Sequence, residues 1–163
     1  MKKCSVFFIL LLSSSAFATI TNVQSNAKWT CTGSGSSINC SVILTTQPTT
    51  NHNLLAVWTF WESTSAYTAS VTDAQGNGTG TPPVFPSAVG PTLQSAASTP
   101  TNAQIFYAAN IIGSGVGHND TVTVTFTCVS SCTSPSITAG GIVAVEYSGL
   151  DTMYPLHRRT DDQ

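Results

Sequence analysis

Four cysteines, Cys31, Cys40, Cys128 and Cys132, have the spacing that most plainly prescribes chemistry in this 163-residue chain. Cys31 and Cys40 flank Gly33-Ser34-Gly35-Ser36-Ser37, a run with the composition of a turn, which lets two thiols face each other across a hairpin. Cys128 and Cys132 are only four residues apart. Extended backbone would separate them by about 13 Å, beyond the roughly 7 Å Cα limit of a disulfide. Val129-Ser130-Ser131 must therefore reverse the chain, and the strand leading to them must end at Thr127. The expected bridges are local, Cys31–Cys40 and Cys128–Cys132. A four-cysteine zinc site is the competing chemistry, but it needs C-x2–4-C spacing in both pairs and a reducing compartment, and one pair lacks that spacing.

Hydrolysis by paired carboxylates needs two acids a few ångströms apart. Glu62, Asp73, Asp120, Glu146 and Asp151 are the acids of the domain body, and all but Glu146 sit beside turns. Glu146 lies next to Tyr147 on a strand and is expected at the surface or hydrogen-bonded. His52 and His118 fall in Asn51-His52-Asn53 and Gly117-His118-Asn119, loop compositions that favour a solvated ring, and no G-x-S-x-G elbow is present. Asp73-Ala74-Gln75-Gly76-Asn77 lacks the alternating acids of a calcium loop, and Asp with Gly suffices for a turn. No catalytic residue, metal ligand or cofactor is expected. Stacking is the chemistry left. Trp29, Trp58, Trp61 and Tyr67 have the ring area to hold a sugar, with Trp29, Trp61 and Tyr67 as the candidate ligand contacts, and core packing competes for every one of them.

Strands must position these groups, because helical periodicity is absent after the first 18 residues. Asn53 to Trp61 is apolar on both parities, as a central strand buried on both faces would be. Alternation puts Trp58 with Leu54, Ala56 and Phe60, and Trp61 with Leu55 and Val57, so both faces are expected to be core. Thr121 to Phe126 alternates strictly, with Val122, Val124 and Phe126 on one face. Gly141 to Tyr147 and Ala103 to Ile112 are further strands. Lys28 to Thr32 and Ile38 to Thr45 frame the glycine-serine turn, and Tyr67 to Thr72 runs into the Asp73 turn. Residues 78–102 contain Pro82, Pro83, Pro86, Pro91 and Pro100 and are expected as loop or edge, since proline has no amide to donate. Seven or so short strands predict an all-β, two-layer antiparallel β-sandwich, Ig-like or jelly-roll.

The N-terminus sets the compartment. Met1-Lys2-Lys3, the apolar run Val6 to Leu12 and Ala16-Phe17-Ala18 form a secretory signal peptide over residues 1–18, cut after Ala18. The apolar run is too short to span a bilayer, and Cys4 precedes it, where a lipoprotein cysteine cannot be. Residues 19–156 form the sandwich domain and 157–163 a disordered tail. Only 7 % of the chain is charged, against about 25 % in an average protein. Once the leader is removed, Lys28, Arg158 and Arg159 remain against all 7 acids. So few cations cannot track a phosphate backbone, which excludes nucleic acid and disfavours an anionic membrane.

The chain also resembles a family of exported Ig-like or jelly-roll β-sandwich domains in acidobacterial and other environmental bacterial surface proteins. The likeness runs over residues 53–156. It rests on Asn53-Leu54-Leu55-Ala56-Val57, Trp61, Ser70 to Asn77, Phe106 to Ile111, Thr121 to Phe126 and above all Glu146-Tyr147-Ser148-Gly149-Leu150-Asp151. The family continues with Asp after Pro-Leu, where this chain has His157-Arg158-Arg159, and its cysteine pairs look like local additions. The resemblance implies fold and location and attaches no activity. The expectation is a secreted or cell-surface, non-enzymatic module with a binding or structural role. Its partners would be an extracellular carbohydrate or another surface protein. The alternatives are a carbohydrate-binding module using exposed aromatics and a small secreted hydrolase.

Overall fold

A computed structural model of the chain describes residues 19–94, 100–116, 118–130 and 132–150. The expected signal peptide, residues 1–18, and tail, residues 157–163, lie outside them. The described residues form ten strands and no helix: β1 (Thr21–Lys28), β2 (Gly33–Ser34), β3 (Ser37–Leu44), β4 (Leu54–Glu62), β5 (Ala66–Asp73), β6 (Ser87–Gln94), β7 (Thr101–Ala108), β8 (Asp120–Ser130), β9 (Ser136–Ile137) and β10 (Ala139–Ser148). All pair antiparallel. One sheet has the order β1-β10-β4-β7-β6, a second β3-β8-β5, and β2 with β9 makes a short third.

Alternation explains how the two larger sheets share one core. In β8, Val122, Val124 and Phe126 are buried while the threonines between them are half-buried; in β3, Ile38, Cys40, Val42 and Leu44 are buried. From the five-stranded sheet, Leu55, Val57 and Trp61 of β4 and Ile142 and Ala144 of β10 face the same cluster. Trp61 meets Phe126 across the gap, with ring centroids 5.4 Å apart. β10 is a central strand, as expected. β6 lies at an edge, is exposed along its length and has two register irregularities around Pro91, as a proline-bearing segment requires.

The structure corrects three local expectations. The strand at the N-terminal side of the glycine-serine run is Thr21–Lys28 rather than residues 28–32, and it does not form a hairpin with β3. β1 and β3 belong to different sheets, and Gly33 and Ser34 instead pair with Ile137 and Ser136. Next, β8 continues through Cys128 to Ser130. Ala66 faces Ser130 while Tyr67 faces Cys128, so Val129 is an inserted bulge residue that bends the strand ahead of Cys132. Third, β4 is central but buried throughout on one face only; on the other, Leu54 is buried, Ala56 and Phe60 are half-buried and Trp58 is exposed.

Both expected disulfides are present, with Cα–Cα separations of 5.5 Å for Cys31–Cys40 and 6.0 Å for Cys128–Cys132. The first is not a hairpin clasp. The Cys31 amide donates to Gly140 of β10 at 3.0 Å, and Cys40 lies in β3, so the bridge staples one sheet to the other. Its nine-residue separation corresponds to about 2–3 kcal/mol of chain-entropy stabilisation. Non-reducing peptide mapping should recover these two linkages. A peptide joining Cys31 or Cys40 to Cys128 or Cys132 would overturn the assignment.

Candidate functional site

The outward face of β4 carries Ala56, Trp58 and Phe60, and the antiparallel register sets their neighbours. Trp58 lies between Val143 of β10 and Ile105 of β7, and Phe60 between Gly141 and Ala103. Beyond Ile105, Val89 of β6 extends the row, and beyond Val143, Ala27 of β1 does so. At the 4.7–4.9 Å strand spacing, five strands make this row about 19 Å wide. Trp29, just past the end of β1, folds onto its edge. Trp29 is 60 % exposed and Trp58 36 %, and their ring centroids are 6.0 Å apart. Phe60 sits 5.3 Å from Trp58 and 6.3 Å from Trp29, with interplanar angles of 31° and 36°. The two indoles are inclined 59° to each other, so the rings form a tilted cluster rather than one flat platform, with Trp29 the most exposed of the three.

Gly141 lets the cluster form. A Cβ built there would stand 2.5 Å from Phe60 Cε1 and 3.2 Å from Trp29 Cε3, so a side chain would displace the Phe60 ring and crowd that of Trp29. Polar groups flank the aromatics: Lys28 beside Trp29, and Glu62 two residues beyond Phe60, where it accepts a hydrogen bond from the Thr101 hydroxyl at 3.4 Å.

Of the candidate stacking residues, Trp29 alone among Trp29, Trp61 and Tyr67 is at the surface. Trp61 is 1 % exposed and belongs to the core. Tyr67 is buried, donates its hydroxyl to the Gly35 carbonyl at 2.7 Å, and has its phenol pKa pushed up by desolvation. Neither can stack on a ligand, because each lies on the inward parity of its strand. Trp58 and Phe60, placed with the core by their strand's composition, face outward instead. An apolar pattern on both parities marks a strand flanked by others, but burial of its second face requires a third layer, and none of the described residues supplies one.

A second cluster gathers at the end of the molecule where residues 45–53 meet residues 109–119. Glu146 of β10 is completely buried, which corrects the surface alternative for it, and it is well satisfied. Its Oε2 accepts from Gln24 Nε2 at 2.7 Å, and its Oε1 accepts from the Thr50 amide at 2.8 Å and Asn53 Nδ2 at 2.7 Å. Asp73 at the end of β5 accepts from the Asn77 amide at 2.8 Å and from Asn77 Nδ2 at 2.5 Å, which makes residues 73–77 a carboxylate-capped turn. Asn77 in turn ties this turn to Ile112 through both its amide oxygen and nitrogen. Asp120, at the start of β8, is also completely buried. Burial, then the charge of Asp73 and more weakly that of Glu146, pushes its carboxyl up to about 6 against opposing hydrogen bonds from Thr49 and Ala74. Among the described residues no group of three or more His, Cys, Asp or Glu side chains is arranged to hold a metal ion.

His52 hydrogen-bonds Asn110 Oδ1 through Nδ1 at 2.6 Å. No protein-family model matches the sequence, and neither a curated protein nor a solved structure was found that resembles it.

Proposed function

We propose that this chain is an exported, non-enzymatic β-sandwich module that binds a neutral polysaccharide on the outward face of its five-stranded sheet. The observation that carries this reading is the solvent-facing cluster of Trp29, Trp58 and Phe60. Exposed aromatic clusters are costly to maintain unless a partner covers them, and a sugar ring offers a flat C–H face to stack against. A polyanion is a poorer match, since Lys28 is the one basic residue among those described. The acids that come together at the far end do not favour hydrolysis, because Asp120 and Glu146 are both sealed from solvent.

A jelly-roll winding for the sandwich is supported by strand order. Counting only the eight long strands in chain order, one sheet runs first-eighth-third-sixth-fifth and the other second-seventh-fourth. Every connection between consecutive long strands crosses from one sheet to the other except the β6–β7 hairpin, which fits two Greek keys wound together better than an Ig arrangement. Export is supported by the N-terminal leader pattern and two disulfides, and no helix among the described residues is long and apolar enough to cross a membrane.

Affinity electrophoresis and pull-down on insoluble neutral glycans test the proposal. The parent should bind at least one of them. Trp58→Ala and Trp29→Ala should each weaken binding roughly tenfold or more, with an unfolding midpoint close to the parent's for Trp29→Ala, whose side chain is 60 % exposed. Binding that survives both substitutions, or a parent that binds no neutral glycan, would refute it. A surface protein as partner is the second reading, favoured by the apolar row continuing to Ile105 and Val89. On that reading Val89→Glu weakens binding as much as Trp58→Ala does.

A further inference from the structure

The buried carboxylate of Asp120 has no role in the aromatic face, yet it lies beneath a seam between two loops. Its Oδ2 accepts from the Thr49 hydroxyl at 3.4 Å, and no donor reaches Oδ1. The charged groups that face it are both acids: Asp73 from β5 and Glu146 from β10, on the opposite sheet. Leu44 is its partner on β3, and the Ala74 amide, which donates to the Thr121 carbonyl at 2.9 Å, also favours the charged carboxyl, though not enough to offset burial and the Asp73 charge. His118 is exposed, and Lys28 pairs with Ile142, away from the Glu146 end of β10. A buried carboxylate oxygen without a donor is costly when ionised.

Thr49, the side chain that donates to Asp120, also clasps the two loops. The Ser114 amide donates to Thr49 Oγ1 at 2.9 Å, and the Thr49 amide donates to Ser114 Oγ at 3.0 Å. The Gly113 amide adds a bond to Asn51 Oδ1 at 2.7 Å. A chain of hydrogen bonds thus runs from the Ser114 amide through the Thr49 hydroxyl to the Asp120 carboxyl. Beside the seam lies an open cleft of about 410 Å³, lined by Gln47, Thr50, Asn51 and Val116 among others.

We propose that Asp120 is a proton-operated latch on this seam: neutral, it lets Thr49 and Ser114 hold the loops together; ionised, it drives them apart until water reaches Oδ1. The closed form holds the proton more tightly than an open, hydrated one would. Desolvation and the Asp73 charge put the closed carboxyl at about 6, against an ordinary 3.8. A folded pKa above the open value means that closure is fully stabilised below pH 4 and loses that stabilisation as pH rises to about 6. The cleft therefore deepens toward neutral pH and tightens in mild acid.

Amide hydrogen exchange, expressed as protection factors to remove the intrinsic pH dependence of the chemistry, tests this on the whole protein. Protection of the Thr49 and Ser114 amides should fall roughly tenfold between pH 5 and pH 7, and in Asp120→Asn it should not change over that range. Carbon-13 NMR of the unmodified protein covers the case in which the variant does not fold, since the Asp120 carboxyl should titrate near 6. A midpoint at the ordinary aspartate value, parent protection independent of pH, or the same pH dependence in Asp120→Asn would each overturn the latch. Recovery of protection at pH 7 on adding calcium chloride would also overturn it, by making a metal rather than a proton the operating ion.

Discussion

Trp61→Ala is expected to lower the unfolding free energy by about 3–5 kcal/mol, the range for truncating a buried aromatic. Trp61 is at the centre of the shared core, packed on Phe126 of the opposite sheet, so its removal opens a void that neither sheet can close without bending. Its indole Nε1 is buried with no acceptor, so part of the native stability is already forfeited at this position. Trp61→Phe should consequently cost much less than Trp61→Ala, since it keeps most of the volume and discards the orphan donor. Urea unfolding of the three proteins decides the matter. Coincident curves for the parent and Trp61→Ala would mean that the ring lies outside the core.

Glu146→Ala should be comparably damaging, by about 3–5 kcal/mol, through a different mechanism. Three donors converge on this carboxylate, and deleting it leaves Gln24 Nε2, the Thr50 amide and Asn53 Nδ2 without their shared acceptor. Gln24 keeps two other bonds, both to Gln47: its Nε2 donates to the carbonyl at 2.9 Å and its Oε1 accepts from the amide at 3.4 Å. Residues 47–53 are fastened to the five-stranded sheet largely through Glu146 and to the three-stranded sheet through Asp120, so losing the first anchor should release this loop as well. Glu146→Gln should be intermediate, because an amide supplies one oxygen where the carboxylate supplies two. A loss below about 1 kcal/mol in urea melts of Glu146→Ala would show that water replaces the carboxylate without penalty.

The strands most visible in the sequence are those whose alternation is enforced by a buried face, β8 and β10 above all. β1 escaped notice because Thr-Asn-Val-Gln-Ser-Asn-Ala-Lys buries fully only Gln24, so it carries no hydrophobic period. The glycine-serine run has genuine turn chemistry, but turn chemistry does not choose a strand's partner; Gly33 and Ser34 pair with residues a hundred positions away. For the aromatic face, parity placed Trp58 with Phe60 correctly, while the direction in which that parity points depends on how the sheets stack. Asp120 was within reach of the sequence. Extending the Phe126-Val124-Val122 alternation by one more step lands on it, and the same step from Ile142 and Ala144 lands on Glu146. An acid continuing an apolar stripe is the signal for a buried carboxylate, and the turn residues beside Asp120 masked it.

The Cys31–Cys40 bridge gives the molecule a mechanical direction. Tension applied at Thr19 would peel β1 away from β10 one hydrogen bond at a time, a low-force process because β1 is an outer strand. Peeling stops at Cys31, where the covalent link hands the load to Cys40, in a strand paired with β8 along its full length. A tether at this end can therefore stretch by the length of one strand and then hold, leaving the aromatic cluster on β4 undisturbed except for Trp29, which lies on the yielding segment.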